Sequence, residues 1–256
     1  LAKSSADVDR IWKEGKIVAL IGVEGGNMIE ESLDNLEALY KRGARYLTLT
    51  WNYNLPWASA AAIESKTKGD AGKGLSAFGK TLIKRMNALG MMVDLSHVGE
   101  KTFYDVLAIT TKPVLVSHSN AYSLMPHYRN LKDTQLEALR KNGAVIGVNF
   151  YSGFLDPNFA ARSKQLYKQH FGSKGNYSLS ATRQYEQLPL ALRRKADAPL
   201  SLLLDHIDYL VKKVGIDHVA IGSDFDGIES PPQGLEDVSK FPVLTEALLK
   251  RGYTKQ

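Results

Sequence analysis

Apolar residues fall along the chain in two alternating patterns. Six short runs are nearly continuous and rich in Val, Ile and Leu: 17–23, 45–51, 91–96, 113–118, 144–150 and 218–224. Such runs suit parallel strands covered on both faces, where no solvated face interrupts the pattern. Between them apolar residues recur every three or four positions. Ile29, Leu33, Leu36 and Tyr40 predict a helix that stops at Gly43, and Phe78, Leu82, Met86 and Leu89 predict another that stops at Gly90. Leu136 and Leu139 lead to Gly143. Leu203, Ile207, Leu210 and Val214 lead to Gly215, with Ser201 as the expected cap. Repeated strand–helix units imply an α/β fold with right-handed crossovers.

Length and composition narrow this picture. The chain has 256 residues, and an eight-stranded (β/α)8 TIM barrel typically takes ~250. Only six strands are predicted, because two long stretches, 52–74 and 155–199, consume the difference. Both follow strand ends, where barrel enzymes elaborate their active-site loops. The expected organisation is a single barrel domain over 1–256 with an insertion at about 155–200. Hydrophobic residues at 44% and charged residues at 23% exclude wholesale disorder. Zero cysteines exclude disulfides and thiolate metal sites, so any metal needs His and carboxylate ligands. No apolar run is long enough to span a membrane. The net charge of +6 invites a nucleic-acid reading, but most of it is local. Between Asp156 and Ala198 eight Lys and Arg face three carboxylates, and no recognition motif accompanies them. No nucleic-acid partner is expected.

Polar, ligand-capable residues recur at the C-terminal ends of the predicted strands. The first ends Glu24-Gly25-Gly26, the third Asp94-Leu95-Ser96-His97, the fourth Ser117-His118-Ser119, and the last Asp224-Phe225-Asp226-Gly227. That is the catalytic face of a barrel or the ligand crevice of an open sheet. His97 and His118 are 21 residues apart, one strand-to-strand unit, so two imidazoles at equal height on neighbouring strands can share a metal. Glu24 adds a carboxylate, a ligand type able to bridge two ions. Asp224 is the favoured acid/base, and Asp226 fits a turn before Gly227. Arg129 suits a substrate carboxylate, held bidentately. Each has a plainer reading: capping histidines, a turn carboxylate, a solvated surface arginine. His127, His170, His206 and His218 are assigned structural roles.

These stretches resemble the membrane dipeptidase (renal dipeptidase) family of zinc peptidases, within the amidohydrolase-like barrels. The likeness runs through Gly22-Val-Glu-Gly-Gly26, Arg45-Tyr-Leu-Thr-Leu-Thr50 with Pro56-Trp-Ala58, and Val93-Asp-Leu-Ser-His-Val98. It continues through Ser117-His-Ser-Asn120, Arg129-Asn130, Gly147-Val-Asn-Phe-Tyr151, the 215–227 stretch and Gly234-Leu-Glu-Asp-Val-Ser239. The resemblance implies a (β/α)8 barrel and hydrolysis of dipeptides by a hydroxide bridging two Zn²⁺ ions. It implies Glu24 as bridging ligand, His97 and His118 as ligands of the second metal, and Asp224 as the catalytic acid/base. Arg129 is implied as the anchor of the substrate carboxylate, with Trp51 and Tyr151 as further substrate-binding positions. A homodimer is implied as well.

Two departures stand out. The family's first strand carries a His-x-Asp pair for the first metal, and the one literal match here, His206-Ile-Asp208, falls in a predicted helix. The chain begins at Leu1, and the expectation is that a strand–helix–strand segment with that pair precedes it. Second, Trp51 stands where the family often has His, and indole offers a single N–H donor and no exchangeable charge. Two other readings stay open: a related metallohydrolase on another amide, or a non-catalytic or truncated relative. Nothing in the sequence separates cytoplasm from periplasm.

Overall fold

In the computed structural model, residues 1–67 and 72–255 are described. The apolar runs form six strands: β1 (Ile21–Glu24), β2 (Ala44–Thr48), β3 (Met92–Asp94), β4 (Leu115–Ser119), β5 (Val145–Val148) and β6 (Val219–Ile221). They hydrogen-bond in chain order, and every described pairing is parallel. The α/β reading of the sequence is therefore correct. Strands β2, β3, β5 and β6 stop short of their predicted C-terminal ends, whereas β1 and β4 run one residue past theirs. Thr50, Ser96, Asn149 and Asp224 belong to the loops that follow, whereas Glu24 and His118 lie at the ends of β1 and β4.

The described residues pack as two units, Leu1–Ser117 with Ala138–Val145, and His118–Glu137 with Ile146–Gln256. In the first, helices α1 (Ser5–Lys13), α2 (Leu33–Arg42), α3 (Ala61–Glu64), α4 (Ala77–Leu89) and α5 (Glu100–Ile109) accompany β1 to β3. Leu36, Leu47, Leu82, Ile83, Met86, Val93 and Phe103 are buried together as its core. Ser32 and Ser76 cap α2 and α4 by accepting the backbone N–H of Asn35 and Gly79. Both helices end as predicted, at Gly43 and Gly90, where φ is +113° and +73°. Helix α6 (Asp133–Asn142) follows β4 and ends at Gly143. Of the loop predicted over 52–74, residues 68–71 lie outside the described residues.

In the second unit the predicted insertion is helical: α7 (Ser152–Leu155), α8 (Phe159–Phe171), α9 (Ala181–Gln187) and α10 (Leu190–Ala196). Phe159, Tyr185 and Ala196 form its small buried cluster. Part of its basic excess is neutralised internally, through Arg162–Asp156 at 2.6 Å, Arg183–Glu186 at 2.8 Å and Arg194–Asp197 at 3.2 Å. Helices α11 (Leu200–Val214) and α12 (Phe241–Lys250) complete the unit. The cap expected at Ser201 is not there. Pro199 occupies the N-cap position with φ −63°, and Ser201 lies within the first turn. His218 likewise ends a short 3-10 turn before β6 rather than opening the strand.

One buried group ties the first unit's strands together at the end that bears the candidate ligands. Asp94 is 0% exposed at the end of β3. Its Oδ2 accepts the hydroxyls of Thr48 on β2 at 2.5 Å and Ser117 on β4 at 2.6 Å. Its Oδ1 accepts the backbone N–H of Ser117 at 2.9 Å and of Ser96 at 3.1 Å. Four donors satisfy a carboxylate that burial would otherwise make very costly. Replacing Asp94 with Ala strands two buried amides and two hydroxyls. The expected loss of stability is about 3 kcal/mol or more, measured by equilibrium urea unfolding. A loss below about 1 kcal/mol, the size of an ordinary surface change, would show that the knot does not hold the strands.

Candidate metal centre

Glu24 ends β1, and the two glycines after it have separate reasons. Gly25 sits at φ +99°, a conformation open to few other residues. Gly26 has no room for a side chain: a Cβ there would lie 2.4 Å from the Trp57 ring and 2.5 Å from the Leu49 carbonyl. This tight turn leaves the Glu24 carboxylate facing His97, with Oε1 3.2 Å from Nε2. The other ring nitrogen, Nδ1, lies 3.0 Å from Asn52 Oδ1. His97 itself adopts φ +68°, unusual for a non-glycine residue and typical of functional turns. The turn is pinned by the His97 carbonyl, which accepts the Ala61 N–H at 2.9 Å.

His118 lies on β4, directly after Ser117, and so one residue beyond the Asp94 knot. Glu24, His97 and His118 each offer one ligand atom, and these atoms lie within 4.8 Å of one another. Two imidazoles and a carboxylate match the ligand chemistry of Zn²⁺. The donor set therefore fits the metal that the sequence implied.

The remaining candidates are placed as follows. Trp51 is 45% exposed. Its ring lies 6.4 Å from that of His97 and 6.1 Å from that of Tyr53. Arg129 is 5% exposed, so the surface-arginine alternative does not apply. Its guanidinium lies 5.5 Å above the Phe154 ring, and its carbonyl accepts the Ser119 hydroxyl at 3.0 Å. Asp224 lies past β6, at φ +61°, with Asp226 at +68°. Both lie beyond the strand, which has already ended at Ile221. The turn is anchored by Phe225, packed 5.6 Å from Phe150 and 5.8 Å from Phe241. Tyr151 directs its phenol to Thr182, at 3.3 Å.

Sequence reasoning did not single out Asn52, Asn120 or Asn149. Asn149 Nδ2 donates to Asp224 Oδ2 at 3.0 Å. Asn149 is held in turn by the Tyr151 N–H on its Oδ1 at 2.6 Å. Its backbone is gripped from both sides by the Asn120 amide, at 3.1 and 3.0 Å. Uncharged polar residues ending apolar runs were the available signal, in Val148-Asn149 and again in Ser119-Asn120.

Comparison with known proteins settles the family. A model of the family "Membrane dipeptidase (Peptidase family M19)" matches residues 1–256. The chain belongs to the membrane dipeptidase family. An uncharacterized dipeptidase of Schizosaccharomyces pombe is 41% identical over 237 residues, covering 93% of this chain and 48% of its own length. The chain thus spans about half of that curated relative. A metallopeptidase from Rhodobacter sphaeroides, solved with a phosphinate mimic of the dipeptide L-Ala-D-Ala, is 30% identical with a TM-score of 0.79. That match covers 99% of this chain and 63% of the other. The probable dipeptidase PvdM from Pseudomonas aeruginosa is 29% identical, with a TM-score of 0.79 and coverage of 99% and 68%. Among the described residues no helix is long and apolar enough to cross a membrane.

Two histidines outside the ligand set brace this dipeptidase-family chain. His206 of α11 is buried. Its Nδ1 accepts the Ala121 N–H at 3.1 Å, and its Nε2 reaches the Leu155 carbonyl at 3.3 Å. The ring is thereby fixed as the neutral Nε2–H tautomer. Burial depresses its pKa from 6.5 to about 4. His127 is lowered to about 4 as well, by burial first and by the charge of Arg129 second. Between pH 6.5 and 4 the unfolded chain takes up protons that the folded one refuses, so stability falls as pH falls through that window. For His206 the full effect is about 3 kcal/mol. Thermal unfolding between neutrality and this window is expected to show the decline, reduced in His206→Gln. A midpoint that holds level from neutrality through the window would contradict it.

Proposed function

We propose that the protein hydrolyses dipeptides at a zinc centre held by Glu24, His97 and His118. The observation that carries this reading is the convergence of those three ligand atoms within 4.8 Å in a chain of the membrane dipeptidase family. The substrate class is taken from the relative that binds a phosphinate mimic of L-Ala-D-Ala. A zinc ion, when bound, supplies Lewis-acid polarisation of the scissile carbonyl and acidifies water. Glu24 has a second carboxylate oxygen, with which it would help to hold a second ion were one bound.

The chain's own residues supply the rest. Arg129 carries a permanent charge in a fixed fork and pairs with the free C-terminal carboxylate of the substrate. That anchor selects dipeptides over internal peptide bonds. Asp224 accepts the proton from the attacking water and passes it to the leaving amine. Asn149 keeps the Asp224 carboxylate oriented through its amide N–H, and the Tyr151 backbone steadies Asn149. Trp51 offers an exposed apolar wall beside His97, in place of a group able to exchange protons.

Chelation is expected to abolish cleavage of Ala-Ala dipeptides, and added Zn²⁺ to restore it, as followed by release of free alanine. Arg129→Ala is expected to lower kcat/KM about 10–100-fold through KM. It should leave metal content unchanged. Activity that survives metal removal would overturn the zinc reading. An unchanged KM in the arginine variant would overturn the carboxylate anchor.

A further inference from the structure

We propose that Asn52 is a positioning residue that sets the tautomer of His97 and so makes it a competent metal ligand. The inference rests on the zinc-binding reading of His97. The ring stands between two oxygen acceptors, Glu24 Oε1 at 3.2 Å from Nε2 and Asn52 Oδ1 at 3.0 Å from Nδ1. A neutral imidazole carries one proton, and the hydrogen bond made by one nitrogen decides which nitrogen can ligate a metal. The acceptor at Asn52 stabilises the proton on Nδ1 against the pull of the Glu24 carboxylate on Nε2, and so favours the tautomer whose Nε2 lone pair can ligate a metal. With that acceptor removed, Glu24 draws the proton to Nε2, the position a metal must occupy.

The loop that carries Asn52 is built to hold it there. Asn54 Oδ1 accepts the Ala60 N–H at 2.8 Å, and Leu55 and Ala58 exchange backbone bonds at 3.0 and 3.3 Å. The loop then rejoins the His97 turn, where Ala60 bridges to Val98 and the Ala61 N–H bonds the His97 carbonyl. The backbone of His97 is thus fixed independently of Asn52, and the Asn52 amide governs only the ring. Asn52 is exposed, so replacing it is expected to leave global stability within about 0.5 kcal/mol.

The test compares Asn52→Ala and Asn52→Asp with the unaltered protein and with His97→Ala. Zinc affinity is measured by chelator competition. Long-range proton–nitrogen NMR of the metal-free protein, above the usual histidine titration range, reports the His97 tautomer. Asn52→Ala is expected to weaken zinc binding about 10–100-fold and to move the proton from Nδ1 toward Nε2. Asn52→Asp keeps an acceptor at the same place and is expected to restore both. If His97→Ala weakens binding while Asn52→Ala does not, the role of Asn52 is overturned and the zinc reading stands. Equal weakening in the alanine and aspartate variants overturns it too, because loop disruption rather than the acceptor would then be the cause. If His97→Ala leaves binding intact, both readings fall.

Discussion

The Asp94 carboxylate is the constraint on which the candidate site depends. It draws hydroxyls from β2 and β4, one amide from β4 and one from the loop after β3 onto one buried group. A buried carboxylate tolerates no slack, since each missing donor leaves a desolvated oxygen uncompensated. The ends of three strands are therefore fixed in height relative to one another. His118 follows immediately after Ser117, and His97 follows immediately after Ser96. The two imidazoles inherit the precision of a knot that none of the chemistry touches. The same strand ends then give way to left-handed and glycine turns, which aim side chains that regular β geometry would send elsewhere.

The second unit uses the same logic with uncharged groups. Asn120 clamps the backbone of Asn149, and Asn149 orients Asp224. His206 spans from α11 to the Ala121 amide and the Leu155 carbonyl, so the helix braces the loop after β4 and the end of α7. Arg129 lies along the same loop, its carbonyl held by Ser119. In both units groups proposed to meet substrate or metal are held by hydrogen bonds with neighbouring amides and hydroxyls. That is how a site on loops is kept rigid.

Much of this was legible in the residue pattern, for identifiable reasons. Continuous apolar runs mark buried parallel strands because both faces need the same chemistry, and all six strands were found. The repeated Ser-His steps marked His97 and His118, because a strand-to-strand repeat places like residues at like heights. Asp94 lay in plain view as a carboxylate within an apolar run, but its partners Thr48 and Ser117 come from other strands, and spacing along one strand does not reveal them. Asn52 and Asn149 were missed for the same reason. Their importance lies in what their amides touch across loops, and Asn in a loop has many commoner uses. Spacing along the chain does not orient Asp224, because β6 ends at Ile221 and the backbone turns left-handed. The cap expected at Ser201 failed because Pro199 sets the backbone two residues earlier.

The most direct test of the metal centre is an anomalous difference map at the zinc edge, from crystals of the protein grown with stoichiometric Zn²⁺. The expected result is a peak at ~2.0–2.2 Å from a Glu24 carboxylate oxygen, His97 Nε2 and a ring nitrogen of His118. His97 Nδ1 should still face Asn52. Zinc bound only to other residues, with these three side chains uncoordinated, would contradict the account.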